Sequence, residues 1–470
     1  MAMGRRKESR QEPLFVTAEQ LPRSQGHPFY KALNRLLADA GFDRWIEGRC
    51  LAFYQEVDRR GQRSLPPGVY FRMLLVGYFE GISSQRGIAW RCADSLSLRE
   101  FLGIPLDQGS PDHSTLSNTR RRLPPEVFQE VFEFVLKMAA DKKLLSGKTV
   151  GVDSTTLEAD AAMKSIVRRD TGEDWQAYVV RLMREDGVIA EDEDPSDEDI
   201  RRFDRSRKDK KVSNEEWDSP TDPSAKITRM KDGTTHLSYK AEHVVDLHSD
   251  LILAAEITPA THGDTQTLVD SVLKAEAHLQ AIGWQQSIKE VVADKGYHAV
   301  DTLELCEAVG LRTYIPEPKR KSNWTWTDKS PDHERALRLN RQRMSRTKGK
   351  QLQKRRSELC ERTFAHVCET GGMRRSWLKS LIDVTKRYVM AAAAHNLGRL
   401  LRRLTGVGKP RSLQGAGLWA ALGSLLSALS SLWPWLVTMD RRIGGWEGET
   451  RPTVAAGAGG LVSGLWSTGC

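Results

Sequence analysis

Residues Lys148–Asp160 read KTVGVDSTTLEAD. Val150 and Val152 are β-branched, apolar and two residues apart, and Thr155, Thr156 and Leu157 continue the extended pattern. The stretch predicts a strand with one carboxylate, Asp153, near its middle. A carboxylate on a central strand is costly to bury unless something offsets its charge. A divalent cation is the usual solution, because hard oxygen ligands suit Mg²⁺. Two more carboxylates stand in comparable places. Asp294 follows the apolar run of IKEVVADKGYH, and Glu361 opens ERTFAHV, a helical stretch after a basic one. The rest of the chain is intelligible if these three converge on metal ions.

Working outward, residues 164–234 are highly charged and poor in apolar side chains. They read as an insertion, partly helical or mobile, rather than core. Its acidic run Glu191–Asp194 and mostly basic run Arg201–Lys211 are expected to face solvent, in a position to pair with each other. Period-two alternation returns at His236: HLSYKAEHVVDLHSD and LILAAEITPA predict paired strands turning at Ser249–Asp250. A helix over Asp264–Ala281, a strand over Ile288–Ala293, a helix over Asp301–Val309 and a strand in LRTYIPEP follow. Three strands, helix, strand, helix, strand, helix is the order of an α/β RNase H-like fold. It sets Asp153 on the first strand, Asp294 at the end of the fourth and Glu361 on a later helix. SWLKSLIDVTKRYVMAAAAHNLGRLLRRL is the last strong helix, expected behind Glu361.

Upstream, residues 1–25 are polar and expected to be disordered. Residues 26–146 are helical in pattern, with Pro66–Pro67 and Pro124–Pro125 where helices begin. Within them, SLSLREFLGI precedes SPDHSTLSNTRRRL. Asp112 or Ser114 can cap a short helix carrying Thr115, Ser117, Asn118, Arg120, Arg121 and Arg122. The pair reads as helix-turn-helix-like, or equally as a solvated helix with a basic end. Residues 147–405 form the α/β domain, and 406–470 an apolar tail.

The chain carries 71 basic and 62 acidic residues, a formal charge of +9. That suits a polyanionic partner without requiring one. The clustering is more telling, because Arg335–Arg356 holds ten basic residues and no acidic one. Such a helix repels itself, and bound phosphates would relieve the repulsion. The six cysteines are scattered with no CxxC pair, which argues against zinc and for reduced thiols in the cytoplasm. The basic N-terminus lacks an apolar run after it, so no signal peptide is expected. Leu413–Met439 is uncharged and long enough to cross a bilayer. Its four serines and Pro434 favour a buried or interfacial helix over Gly417–Val437, against the protein or a second subunit, and no membrane association.

From about Phe29 to Gln414 the chain resembles bacterial insertion-sequence transposases with an InsH-like N-terminal domain and a DDE catalytic domain. SLREFLG, PDHSTLSNTRRRL, GVDSTTLEADAAMKS, VVADKGYH, CERTFAHV, GGMRRSWLK and HNLGRLLR carry the resemblance by their order and spacing. It implies binding to terminal inverted repeats, then metal-dependent cleavage and strand transfer. Two Mg²⁺ ions about 3.5–4 Å apart, or Mn²⁺, would serve, with Asp153 bridging both and Asp294 and Glu361 each holding one. The partners would be double-stranded DNA, both transposon ends and target, and a second subunit on that DNA, in the cytoplasm at the nucleoid. Ser114, Thr115, Asn118, Arg120, Arg121 and Arg122 would read the ends, and Arg341, Arg343, Arg346, Arg355 and Arg356 would grip phosphates. Lys240 and His298 are candidate phosphate contacts, with a solvated lysine and a packing role for the histidine as alternatives. Trp324 and Trp326 are candidates for stacking an unpaired base, or for loop anchoring. Related transposases carry Tyr, Arg and Lys at set distances around the Glu; here those positions hold Lys354, Ser357 (beside Arg356) and Cys368. The alternatives are a catalytically idle DNA-binding protein and an RNase H-like nuclease without strand transfer.

Overall fold

The computed structural model describes residues 17, 25–54, 64–208, 212–230, 233–318 and 330–413. The expected tail helix and both Trp324 and Trp326 lie outside these residues. Residues to Ser412 form one compact unit, and a second begins at Leu413.

The strand read first is the middle of the sheet. β1 (Thr149–Glu158) pairs antiparallel with β5 (Thr235–Asp246) and parallel with β7 (Glu290–Val292). β8 (Arg312–Tyr314) continues parallel beyond β7, while β6 (Leu251–Pro259) and β4 (Lys226–Arg229) both lie antiparallel along β5. Antiparallel neighbours need only a tight connection: β5 and β6 are joined by Leu247–Asp250, with Asp250 at φ 65°. Parallel neighbours need crossovers, supplied by α10 (Asp264–Ala281) and α11 (Val300–Ala308). This is the RNase H-like arrangement. β2 (Val167–Arg168) and β3 (Trp217–Asp218) make a separate ribbon.

Ahead of the sheet run α1 (Pro28–Asp39), α2 (Phe42–Cys50), α3 (Pro67–Glu80), α4 (Gln85–Asp94), α5 (Leu96–Leu102), α6 (His113–Arg122) and α7 (Pro125–Asp141). Proline opens α1, α3 and α7, where a missing N–H costs nothing. Asp112 caps α6, accepting from the Thr115 amide at 2.7 Å. The α5–α6 connection runs from Gly103 to Asp112, far longer than the roughly three- to four-residue turn of a helix-turn-helix.

The described residues of the insertion are partly helical, the first of the two alternatives read from the sequence. α8 (Trp175–Glu185) and α9 (Asp197–Ser206) enclose a small core of Val179, Met183 and Ile200. β4 leaves the insertion altogether and extends the main sheet through Lys226↔Ser238 to Arg229↔Thr235. Among the described residues the acidic run makes no ion pair with the basic run; Asp194 lies 3.8 Å from Arg184 on α8.

The long basic stretch is two helices, α12 (Pro331–Ser345) and α13 (Thr347–Phe364), broken where Arg346 is extended (φ −77°, ψ 155°). Carboxylates from elsewhere offset much of its charge. Arg341 pairs with Glu317, Arg343 with Glu307, Lys348 with Glu290 and Arg356 with Asp153. α14 (Leu381–Thr405) is buried along most of its length, from Val384 to Leu401, and packs against α7 and α3 as well as β6. Asn396 fixes it to the sheet, accepting from the Ile252 amide (2.9 Å) and donating to its carbonyl (2.8 Å).

Candidate active site

Side chains alternate across β1 and β5, so the two faces carry different chemistry. Gly151 and Asp153 face α13. A Cβ at Gly151 would sit 3.0 Å from Cys360 Sγ, 3.0 Å from Arg356 Cγ and 2.7 Å from Leu247 Cδ2, so glycine here lets α13 lie close on β1. That approach brings the Arg356 guanidinium to 3.1 Å from Asp153 Oδ2. Gln353, one turn earlier, donates to the carbonyls of Ala293 (2.9 Å) and Tyr314 (2.6 Å) and ties α13 to the ends of β7 and β8.

The parallel register decides where Asp294 lies. Gly151 pairs with Val292, and two residues further along each strand are Asp153 and Asp294. Asp294 Oδ1 accepts from the Gly296 amide at 2.8 Å, capping the turn over Lys295–Tyr297. Glu361 is exposed on α13, one residue after Cys360, and accepts from Ser357 Oγ at 2.8 Å. The Cys360 thiol is pushed well up by burial and by Asp153, with Asp250 and Glu361 adding to the rise and Arg356 opposing it, so it feels two of the three carboxylates. The donor set, all carboxylate oxygen, suits a hard divalent ion. Among the described residues, however, no three His, Cys, Asp or Glu side chains stand close enough together to hold one. Each of the three also has an intramolecular partner: Arg356, the Gly296 amide and Ser357.

The opposite face, under α10, holds a buried polar network that the sequence reading missed. Lys240 Nζ lies 2.8 Å from Asp264 Oδ1 and 3.5 Å from Glu242 Oε2, and donates to Thr267 Oγ1 at 2.9 Å. Ser154 donates to Asp264 (2.9 Å), and Thr267 and Tyr297 both donate to Glu242 (2.8 Å each). Lys240 is thus a buried internal cation, 7% exposed at its side chain, and not the phosphate contact or solvated lysine expected. Tyr297 is buried in the same network. Only the even period of β5 hinted at this, since Lys240 and Glu242 alternate with Tyr239 and Ala241.

His243 is paired with Asp153 across the ladder and faces α13 and α14. It stacks on Phe364 (centroids 4.1 Å apart), and its nitrogens meet Thr363 Oγ1 at 2.9 Å and Tyr388 OH at 2.8 Å. Burial pushes its pKa down to about 3. The unfolded imidazole, near 6.5, takes up its proton first as pH falls. The stabilisation from a neutral His243 is therefore whole above pH 6.5 and is lost as pH descends toward 3. Between pH 7 and pH 5 this residue should cost about 2 kcal/mol. Urea midpoints at the two pH values check it, and His243→Phe should remove that part of the slope.

The residues expected to meet DNA fall into two groups. Arg120 is buried with Nε 3.2 Å from Asp383, Arg343 is 12% exposed against Glu307, and Arg356 is 11% exposed on Asp153. These three are internal ion-pair partners, which corrects the expectation for them. Ser114 is exposed but bonds the capping Asp112 at 2.9 Å, and Thr115 is half-buried. Asn118, Arg121 and Arg122 are exposed on α6, with Arg122 4.7 Å from the Tyr54 ring centroid. Arg341 is half-exposed and bidentate to Glu317; Arg346 and Arg355 are exposed, Arg355 donating to the His248 carbonyl at 3.3 Å. His298 is partly buried just after the Asp294 turn.

A mixed sheet with one aspartate on its central strand, a second just past the end of the parallel neighbour and a glutamate on the helix packed over the central strand is the framework of a phosphoryl-transfer domain. Two family models match the chain: "Transposase domain (DUF772)" over residues 16–122 and "Transposase DDE domain" over residues 208–397. The chain carries a DDE transposase domain, of a family of metal-dependent phosphoryltransferases, behind an N-terminal transposase domain of the InsH-like kind. The second match contains Asp294 and Glu361 and begins after Asp153. No curated protein and no solved structure gives a match. No helix among the described residues is long and apolar enough to cross a membrane.

Proposed function

We propose that the protein is the transposase of an insertion sequence, binding its terminal inverted repeats, cutting there and joining the freed 3′ ends to target DNA. The observation that supports this reading is the parallel pairing of β1 and β7 up to Gly151 and Val292, with Asp153 and Asp294 each two residues beyond that last pair and Glu361 on the helix packed against β1. Asp153, Asp294 and Glu361 are the residues that would hold two divalent ions, Mg²⁺ or Mn²⁺. When bound, such ions activate an attacking hydroxyl and stabilise the departing oxygen. Arg356, held at Asp153 by the close approach at Gly151, offsets the charge of that carboxylate. Transposition joins two ends, so the working form is a dimer on DNA.

The exposed cations of α12 and α13, Arg335, Arg338, Arg346, Lys350, Lys354 and Arg355, form a phosphate-gripping face, and Asn118, Arg121 and Arg122 of α6 meet the terminal repeats. Incubation with Mg²⁺ and DNA bearing the element's ends should yield nicked ends and joined products. Cleavage without joining would leave a nuclease, and binding without cleavage an idle DNA-binding protein. Changing Arg335, Arg338 and Arg355 together to Gln should weaken end and random duplexes alike. The slope of log affinity against log salt should fall by up to about 2.7, the release expected for three phosphate contacts. Changing Arg121 and Arg122 should instead narrow the preference for ends; identical effects from the two sets would remove the division of labour.

A further inference from the structure

A cavity of about 170 Å³ lies between α3, the start of α4, α7, α14 and the segment Met373–Leu378. Its walls are mainly apolar and aromatic, with Tyr70, Phe128 and Trp377 among them. Trp377 is 49% exposed, so the cavity reaches the surface there. Most of its polar lining is already satisfied. Ser84 accepts from the Gly87 amide and Gln85 from Ser117, while Arg120, whose Nε and Nη1 make no hydrogen bond, has Asp383 at 3.2 Å as its counter-charge. Arg387 is different. Its Nη2 is wholly buried and makes no hydrogen bond, and no carboxylate stands at ion-pair distance from it among the described residues. Burial and the neighbouring Arg120 push its pKa down to about 10, the mark of a guanidinium without a counter-charge. A buried donor left unpaired costs about 1–3 kcal/mol, which a ligand acceptor would recover.

The mouth has its own character. Arg375 lies 4.8 Å from the Trp377 ring centroid, and Arg374 and Lys379 are exposed beside it. The same segment reaches the candidate active site. Arg374 donates to Thr155 Oγ1 at 3.2 Å, two residues along β1 from Asp153, and Arg375 pairs with Glu158 at 3.3 Å. Cations outside, a flat apolar slot within and one acceptor-seeking guanidinium inside describe a nucleotide with its phosphate at the rim. An apolar cavity of roughly 150 Å³ accepts benzene, so there is room for a ring system and little more. A guanidinium finds paired acceptors on guanine at O6 and N7 and, where the base is unpaired, on cytosine at O2 and N3.

Resting on the DNA-acting reading above, we infer that this cavity takes a single unpaired base bearing paired acceptors, guanine or cytosine, out of DNA lying across the Met373–Leu378 segment. The base would stack against Trp377 and Tyr70, with its acceptor edge on Arg387. The test uses the full-length protein and three duplexes in fluorescence polarisation: one with a bulged guanine, one with an abasic bulge and one fully paired. The guanine bulge should bind about tenfold more tightly than the abasic bulge, within the range of a stacked base. Arg387→Met should abolish that preference and leave the fully paired duplex unaffected. Leu74→Trp, which fills the cavity without touching the guanidinium, should do the same and guards against a folding defect in the first variant. Equal binding of guanine and abasic bulges would overturn the inference. So would a preference that survives both variants, or one erased by millimolar inorganic phosphate, which would mark a simple anion site. If the wild-type protein bound none of the three duplexes, the DNA-acting reading would fail along with it; tight binding of all three without preference would sink only the pocket.

Discussion

Asp153→Asn, Asp294→Asn and Glu361→Gln should each lower Mg²⁺-dependent cleavage and joining by roughly a thousandfold, about 4 kcal/mol of barrier. DNA affinity should persist, because the exposed cations of α12 and α13 are untouched. Each change keeps size and removes one negative charge, so it probes charge and metal holding rather than packing. The three are not equivalent as tests. Asp153 also loses its pairing with Arg356, so its amide variant should show a small change in stability as well. Glu361 is exposed and bonds only Ser357 on its own helix, so nothing structural depends on its charge. A Glu361→Gln protein with full activity on end-bearing DNA would therefore take that residue out of the site cleanly. Cleavage that continues unchanged in EDTA would remove the metal from the proposal.

Lys240→Met should destabilise the protein by about 3–5 kcal/mol, the usual result of removing one partner from a buried ion pair. Glu242 is 2% exposed at its side chain, and Asp264 loses its cation at the same time. Adding Glu242→Gln to Lys240→Met should return part of the loss, because the stranded charge is then gone; urea midpoints of the single and double variants measure it. DNA affinity of the folded fraction should be unaltered. Unchanged stability with weakened DNA binding would restore Lys240 to the role the sequence suggested.

The sheet and its crossovers were legible because their signals are local. Alternation in HLSYKAEHVVDLHSD marks β5, and the predicted helix Asp264–Ala281 coincides with α10 because apolar period and boundary residues agree there. The candidate carboxylates were legible as strand-end and helix positions. What escaped is the pairing of charges across distant segments. Arg356 and Arg343 look like free cations in a basic run, yet their counter-charges, Asp153 and Glu307, lie on other elements. Arg120 is one of three adjacent arginines, and only the placement of Asp383 on α14 separates it from Arg121. β4 escaped for a related reason. KITR carries too little apolar character to signal a strand, and it is held by the edge of β5, with Asn214 bonding both the amide and the carbonyl of Ile227.

The position of α14 bears on how such proteins diversify. One face of this helix completes the packing of α3 and α7, and another closes over β6. A fragment ending before it would leave the apolar sides of α7 and β6 bare and prone to aggregate. Residues 26–146 therefore cannot be traded between transposases as a self-standing cassette, since the recipient would also have to bring a matching last helix. On the proposed assignment of Asn118, Arg121 and Arg122, changes in which DNA is addressed are left to point substitutions on such outward side chains, a slower route than shuffling, and one that holds the cutting machinery and its address in a single line of descent.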